Sequence, residues 1–296
     1  MRSKILILIF LVFILINCQE KKEVLTNKKE NKMKINSSTP IYGIDFNIAT
    51  PFEILVNDVP VMKYFSNGSA SAFVPINGML IKGKKQEIKI KLYNSDGEKN
   101  ITEDIAKYFS LKIVLSKDIS FGKFQDVQII KIPDSIKNTS FVEYVFPFYV
   151  EFPFEIEGWQ KSLNLTNEDK DKLLEEVVLK YEQFRNILNN KDGKEFLEKT
   201  KHRENELNQA FYFNEDQKRE DDKETLEIIN RITKVFPLEN YQMVFYGNGK
   251  IVALVRIDKN FRGESALQAE LDDESVQIYE LLLHRPALGK PLEVIR

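Results

Sequence analysis

Cysteine is nearly absent from this chain. Cys18 is the single thiol among 296 residues, so no disulfide can close within it and stability has to come from packing. Histidine is almost as scarce, with only His202 and His284. Neither belongs to a His-Glu-x-x-His helix and no cysteine cluster accompanies them, which excludes a zinc site in the usual spacings. No metal or other cofactor is expected. Basic residues are not in excess, 43 against 45 acidic ones, and that balance offers no general attraction for nucleic acid. Glycine is sparse too, at 12 residues. Gly247-Asn248-Gly249-Lys250 lacks the leading glycine and the following hydroxyl of a phosphate loop, and reads instead as a hairpin turn.

Long apolar runs are missing except at one end. Arg2 and Lys4 precede twelve uninterrupted apolar residues, 5–16, too few for a comfortable membrane span and the right number for a secretory signal. The run stops at Asn17 and Cys18. Leu15-Ile16-Asn17-Cys18 resembles the lipobox of bacterial lipoproteins, the likeness lying at Leu15, Ile16 and Cys18. That resemblance implies a signal peptide over residues 1–17, cleavage before Cys18, and acyl chains on its sulfur and new amino terminus. It also implies a place in the bacterial cell envelope, anchored at the outer membrane. Two or more acyl chains anchor stably where one does so marginally. An ordinary signal peptide with an incidental cysteine is the alternative. An acylated Cys18 leaves no thiol for redox or nucleophilic work.

Residues 18–40 read as a disordered tether, because 19–36 are mostly Lys, Glu, Asn and Gln and carry too little apolar surface to fold. The tether is either a solubilising spacer or a segment that lies along anionic headgroups. Gln19-Glu20-Lys21-Lys22-Glu23 is similar to the charged export tag of surface lipoproteins in some gliding bacteria. Residues 37–296 then carry a net charge of −7.

From residue 41 the pattern is that of short strands about ten residues apart. Phe52, Ile54 and Val56 alternate with Glu53 and Leu55 ahead of an Asn57-Asp58 turn. Ile88, Ile90 and Leu92 alternate with lysines, as do Leu111, Ile113 and Leu115 with their neighbours. Residues 101–109 suggest one short helix. The sharpest alternation spans 146–156, with Phe146, Phe148, Val150, Phe152, Phe154 and Ile156 on one face. Its prolines, Pro147 and Pro153, cannot donate to a ladder and predict an edge strand. Residues 41–160 are therefore expected to form an all-β, immunoglobulin-like sandwich. Tyr149 and Trp159, close to several carboxylates, are candidate contacts for a sugar.

Residues 161–296 are expected to form an α+β domain of three helices followed by an antiparallel meander. Thr166-Asn167-Glu168-Asp169 has the form of a capping box, behind which Leu173, Val177, Tyr181, Phe184 and Leu188 share a helical face. A second helix is predicted from Lys194 and a third from Asp221, running with Ile232 and Phe236 up to Pro237. Two hairpins follow, about 247–249 and 272–274, with a last strand over 292–295. This order of elements is similar to the cone-shaped fold of the nuclear transport factor two superfamily. That likeness implies a ligand, a small acid–base reaction or a binding partner at the mouth of the cone.

His284 ends a strand and is a candidate ligand contact there, facing Tyr279, Tyr246 or Asp258. His202 reads as a solvated helix residue. No catalytic signature stands out, so the expectation is a membrane-anchored envelope lipoprotein with a non-catalytic binding role toward a protein or glycan. An anchored immunity protein that neutralises a toxin and a small-molecule enzyme with a cone-like pocket are the alternatives.

Overall fold

The computed structural model describes residues 39–117, 123–153 and 155–296. The apolar run, Cys18, residues 18–38 of the expected tether and Phe154 lie outside the described residues; the last two residues assigned to the tether belong to the folded body instead, Pro40 being buried with its carbonyl accepting from Asn77 and Tyr212. Among the described residues no helix is long and apolar enough to cross a membrane.

Eight strands come first: β1 (Ile41–Ile48), β2 (Phe52–Val56), β3 (Val59–Tyr64), β4 (Ala70–Pro75), β5 (Lys85–Tyr93), β6 (Ser110–Ser116), β7 (Phe124–Ile130) and β8 (Phe141–Tyr149). They pair as two four-stranded antiparallel sheets in the orders β4-β1-β6-β7 and β3-β2-β5-β8. Alternate apolar positions of β1, β2, β5 and β6 point between the sheets. Ile44 and Phe46 of β1, Ile54 of β2, Ile88 and Ile90 of β5, Ile113 of β6 and Phe148 of β8 share one core, and Phe46 meets Phe52 edge to face at 5.4 Å. The result is a β-sandwich. Asn57 and Asp58 both have positive φ, 50° and 63°, the backbone that a two-residue hairpin matched to strand twist requires.

β8 lies at an edge of its sheet, where Pro147 leaves no central ladder bond unmade. The strand stops at Tyr149 instead of running on to residue 156, because its partner β5 begins at Lys85, directly opposite Tyr149. The alternation outlasts the ladder: Val150 and Ile156 remain buried. The expected helix near 105 is a single 3-10 turn, Ile105–Tyr108.

Three helices follow, α1 (Lys170–Asn189), α2 (Gly193–Ala210) and α3 (Glu215–Asn230), and then seven short strands. The strands are β9 (Ile232–Val235), β10 (Tyr241–Tyr246), β11 (Ile251–Arg256), β12 (Gln268–Leu271), β13 (Val276–Ile278), β14 (Leu283–His284) and β15 (Glu293–Val294). They divide into two antiparallel sheets, β13-β12-β9 and β10-β11-β14-β15, linked by a bridge between Val255 and Ser265.

α1 is capped by Asp169, whose carboxylate accepts from the N–H groups of Asp171 and Lys172. Thr166 is not the cap, since it sits in a preceding 3-10 turn that Asn164 caps. A true capping box stands instead at Asn214 and Gln217, which starts α3 six residues before the expected Asp221. α3 also ends at Asn230 rather than near Pro237. Ile232 and Val235 are drawn into β9 by pairing with β12, so local helical spacing loses to a ladder with residues almost forty positions away. Leu173, Val177, Tyr181, Phe184 and Leu188 pack the face of α1 on the sheets. Tyr181 is fully buried, and its hydroxyl donates to Leu281 O at 2.7 Å while accepting from Leu254 N at 2.9 Å.

A third apolar cluster lies between the sandwich and the α+β part. Leu55 and Val59 from the β2–β3 hairpin meet Trp159, Tyr246, Ile251 and Ile295. β2 is thus buried on both faces, and Leu55, which strand alternation turns outward, is covered by the second half of the chain. Asn77 extends this contact, donating to Pro40 O and Ala210 O and accepting from Tyr42 N.

Candidate functional site

Tyr149 and Trp159 do not form a sugar platform. Tyr149 is 63% exposed on the outer face of β8, whereas Trp159 is 2% exposed within the cluster between the two parts. The indole lies against Gly247, where an added Cβ would fall 2.7 Å from the ring, and the Arg296 guanidinium covers it, 5.8 Å from the ring centre. Burial of so large an apolar surface explains the position, because a tryptophan behind the last sandwich residues fills the space between two docked hairpins.

His284 is 4% exposed on β14. Its Nδ1 lies 2.6 Å from the Ser162 hydroxyl, and its ring is parallel to that of His202 at 6.4 Å between centroids. Among the described residues Nε2 has no hydrogen-bond partner. Burial, joined by the charge of His202, pushes the imidazole down to about 4, so it is neutral at pH 7. The neighbours expected from sequence are engaged elsewhere: Tyr279 packs on Phe196 at 5.7 Å, Tyr246 belongs to the cluster between the parts, and Asp258 pairs with Arg256.

His202 is exposed on α2 and lines a groove of about 460 Å³ between α1, α2 and β15. Lys180, Lys199 and Lys201 stand around this groove, and Phe184, Leu292 and Val294 form its apolar floor. The helical spacing of Lys199 and His202 places both on one face of α2, but only the tertiary fold brings Lys180 of α1 opposite them.

A second ionic cluster joins the sandwich to the α+β part. Lys63 of β3 donates to Gly263 O at 2.6 Å and lies 3.7 Å from the Glu280 carboxylate. Burial pulls its ammonium down, but Glu280 and the neighbouring acids outweigh that and hold it above its ordinary value. Beside it Glu264 is pushed up to about 7 by burial and by Glu280, against the pull of Lys63, and burial pushes Tyr246 up to about 12. No spacing in the sequence signals these partners, which stand some two hundred residues apart.

On the sandwich, β7 and β8 border the same open edge, bridged by Gln128 donating to Pro147 O. Phe124, Val127 and Ile129 of β7 and Phe141, Val145 and Tyr149 of β8 are exposed, Phe124 stacking on Phe73 of β4 at 4.7 Å and Phe141 packing on Tyr93 of β5 at 5.3 Å. Among the described residues no three His, Cys, Asp or Glu side chains gather as metal ligands. Compared with protein-family models, with curated proteins and with solved structures, the chain matches none.

Proposed function

We propose that this chain is a lipid-anchored binding protein of the bacterial envelope, non-catalytic, held to the membrane through Cys18 and docking an extended segment of a partner protein along β7. The observation that carries the docking is the open edge itself. Among the described residues β7 has a paired side toward β6 and an outer side with no neighbouring strand in its sheet, and an incoming strand would complete its backbone bonds. Ile129 is 57% exposed on that edge, and Lys123 and Lys131 flank the strand. A partner segment with apolar residues between acidic ends matches it. Anchoring is supported by the apolar run that ends at the single cysteine. In the same reading the sandwich is of immunoglobulin-like type and residues 165–296 take a form like the nuclear transport factor two superfamily, supported by the face-to-face sheets and by the order of helices before strands.

An anchored immunity protein is the second reading. It draws on the charge of −7 over residues 37–296, which would complement a basic toxin.

Two measurements test the first reading. Fatty-acid labelling in growing cells is expected for the wild type and absent from Cys18→Ser; equal labelling of both rejects the anchor. A photo-crosslinking amino acid at Ile129 is expected to trap one partner in the same cells, while the same group at Leu288, exposed on the other half of the chain, traps none. Identical patterns from both positions, or no adduct at Ile129, reject docking along β7.

A further inference from the structure

Asparagine followed by glycine carries a reaction of its own. The glycine nitrogen can close a cyclic imide with the preceding side-chain amide, and glycine has no side chain to obstruct that approach. Three such pairs occur, Asn67-Gly68, Asn77-Gly78 and Asn248-Gly249, and the fold treats them differently. Asn77 and Gly78 are both buried. The Asn77 amide is fixed there, its Oδ1 accepting from Tyr42 N at 2.7 Å and its Nδ2 donating to Pro40 O and Ala210 O. Asn248 lies at an exposed hairpin tip, but the attacking group beside it is occupied, since the Gly249 N–H donates to Tyr246 O at 3.0 Å.

Asn67-Gly68 belongs to the turn between β3 and β4, where residues 66–69 are all exposed. Among the described residues the Gly68 N–H donates to no acceptor, so it is open to base from solvent. Two hydrogen bonds then fall where negative charge develops. The Tyr64 hydroxyl donates to the Asn67 carbonyl at 3.1 Å, and that oxygen takes up charge when the Gly68 nitrogen loses its proton. The Asp96 N–H donates to Asn67 Oδ1 at 2.8 Å, the oxygen that becomes an oxyanion as Cγ is attacked. Donors at both oxygens lower the barrier as an oxyanion hole does. The leaving nitrogen, Asn67 Nδ2, is held only by a long bond to Asp96 O, at 3.4 Å.

We infer that Asn67 is a self-modification site, where the folded turn directs the side-chain amide toward loss as ammonia. The Gly68 nitrogen gives its proton to solvent base and bonds to Asn67 Cγ. The Cγ–Nδ2 bond breaks, and Nδ2 leaves with a proton from solvent as ammonia. The cyclic imide takes up one water at either carbonyl carbon and opens to an aspartyl or an isoaspartyl linkage, with water the sole co-reactant. Either product adds a negative charge at position 67. The turn adjoins the other half of the chain: Lys259 pairs with Asp96 at 3.1 Å, and Arg262 covers Phe65 at 4.7 Å. The charge is therefore added beside the seam between the sandwich and the α+β part.

Peptide mapping by mass spectrometry during incubation of the purified full chain in mildly alkaline buffer tests the inference, with a synthetic peptide of residues 64–70 as the reference. Position 67 is expected to gain about 1 Da ahead of positions 77 and 248, and no more slowly than in the free peptide. Tyr64→Phe keeps the ring beside Phe52 and removes the hydroxyl, and is expected to slow the gain by about three- to tenfold. Circular dichroism checks that this variant is folded. Earlier conversion at position 77 or 248 overturns the inference. So does a folded chain that reacts more slowly than the free peptide, or an unchanged rate in folded Tyr64→Phe. The first two comparisons use the wild type alone, so they hold whether or not the variant folds.

Discussion

Asp58 and Asn248 join the tips of two hairpins that lie 190 positions apart: the Asp58 carboxylate accepts the Asn248 N–H at 2.7 Å. The Asp58 carbonyl accepts the neighbouring Gly247 N–H at 2.9 Å, and Lys89 donates to the same carboxylate at 2.7 Å. A largely buried carboxylate thus serves two partners from different halves of the chain. Asp58→Ala leaves the half-buried Lys89 ammonium with Glu143 alone, 3.9 Å away, and a backbone N–H short of an acceptor, and is expected to cost about 2–3 kcal/mol. Urea unfolding measures it. A cost near zero would mean that the hairpin tips contribute nothing to holding the sandwich on the α+β part.

Gly247 is the position where the backbone demands glycine. Its φ is +58°, and a Cβ would fall 2.7 Å from the Trp159 ring. Gly247→Ala is expected to destabilise by about 2–4 kcal/mol, from the left-handed backbone and the overpacking together. Trp159 is the sole tryptophan, so its emission should shift to the red as the indole gains water. Unchanged emission and stability would show that the indole is not wedged between the hairpins.

Buried His284 and half-buried Glu264 should respond to pH in opposite directions. His284 titrates near 4 in the fold and near 6.5 when unfolded. The unfolded chain therefore binds the proton first, and stability present above about pH 6.5 is lost as pH falls toward 4. Relative to His284→Gln, the wild type should lose on the order of 2–3 kcal/mol across that window. Glu264, raised to about 7, works the other way: the fold holds its proton more tightly than the unfolded chain, so stability present at pH 4.5 is lost as pH rises through 7. Glu264→Gln should remove that loss. Unfolding curves at a series of pH values decide both, and parallel behaviour of the two variants would contradict the opposite signs.

The two faces of β8 should separate cleanly. Phe148 is 0% exposed and Phe148→Ala is expected to cost about 3–5 kcal/mol, whereas Tyr149→Ser on the outer face should stay within about 0.5 kcal/mol. Chemical denaturation of the full chain gives both numbers. Equal effects would mean that the strand is turned or twisted from the register in which Gln86 faces Phe148.

Period-two patterns were legible wherever a strand had one wet face. Ile88, Ile90 and Leu92 announce their own orientation, because lysines between them have to reach water. The hairpins at Asn57-Asp58 and Gly247-Asn248-Gly249 were legible too, since few residue pairs accept positive φ at low cost. Helix existence followed from one-face spacing in α1, while its cap did not, because Thr166 and Asp169 offer equivalent side chains and only the preceding turn selects between them.

What the sequence by itself determined is therefore the set of local preferences: which residues alternate, where the chain turns, and where an apolar run meets a lone cysteine. Tertiary structure alone decided what covers what. Leu55 has the sequence position of an outward residue and lies in a core, because the α+β part packs over β2. Trp159 has the composition of a ligand platform and is sealed beneath Arg296. Ile232 and Phe236 continue a helical stripe, yet Ile232 lies in β9 and Phe236 donates to Gln268 O just beyond it, because β12 supplies a ladder. Lys63 meets Glu280, and Ser162 meets His284, across separations at which the sequence carries no periodic signal. Pairing and burial between distant segments depend on which surfaces the whole chain brings together, and a local pattern has no access to that.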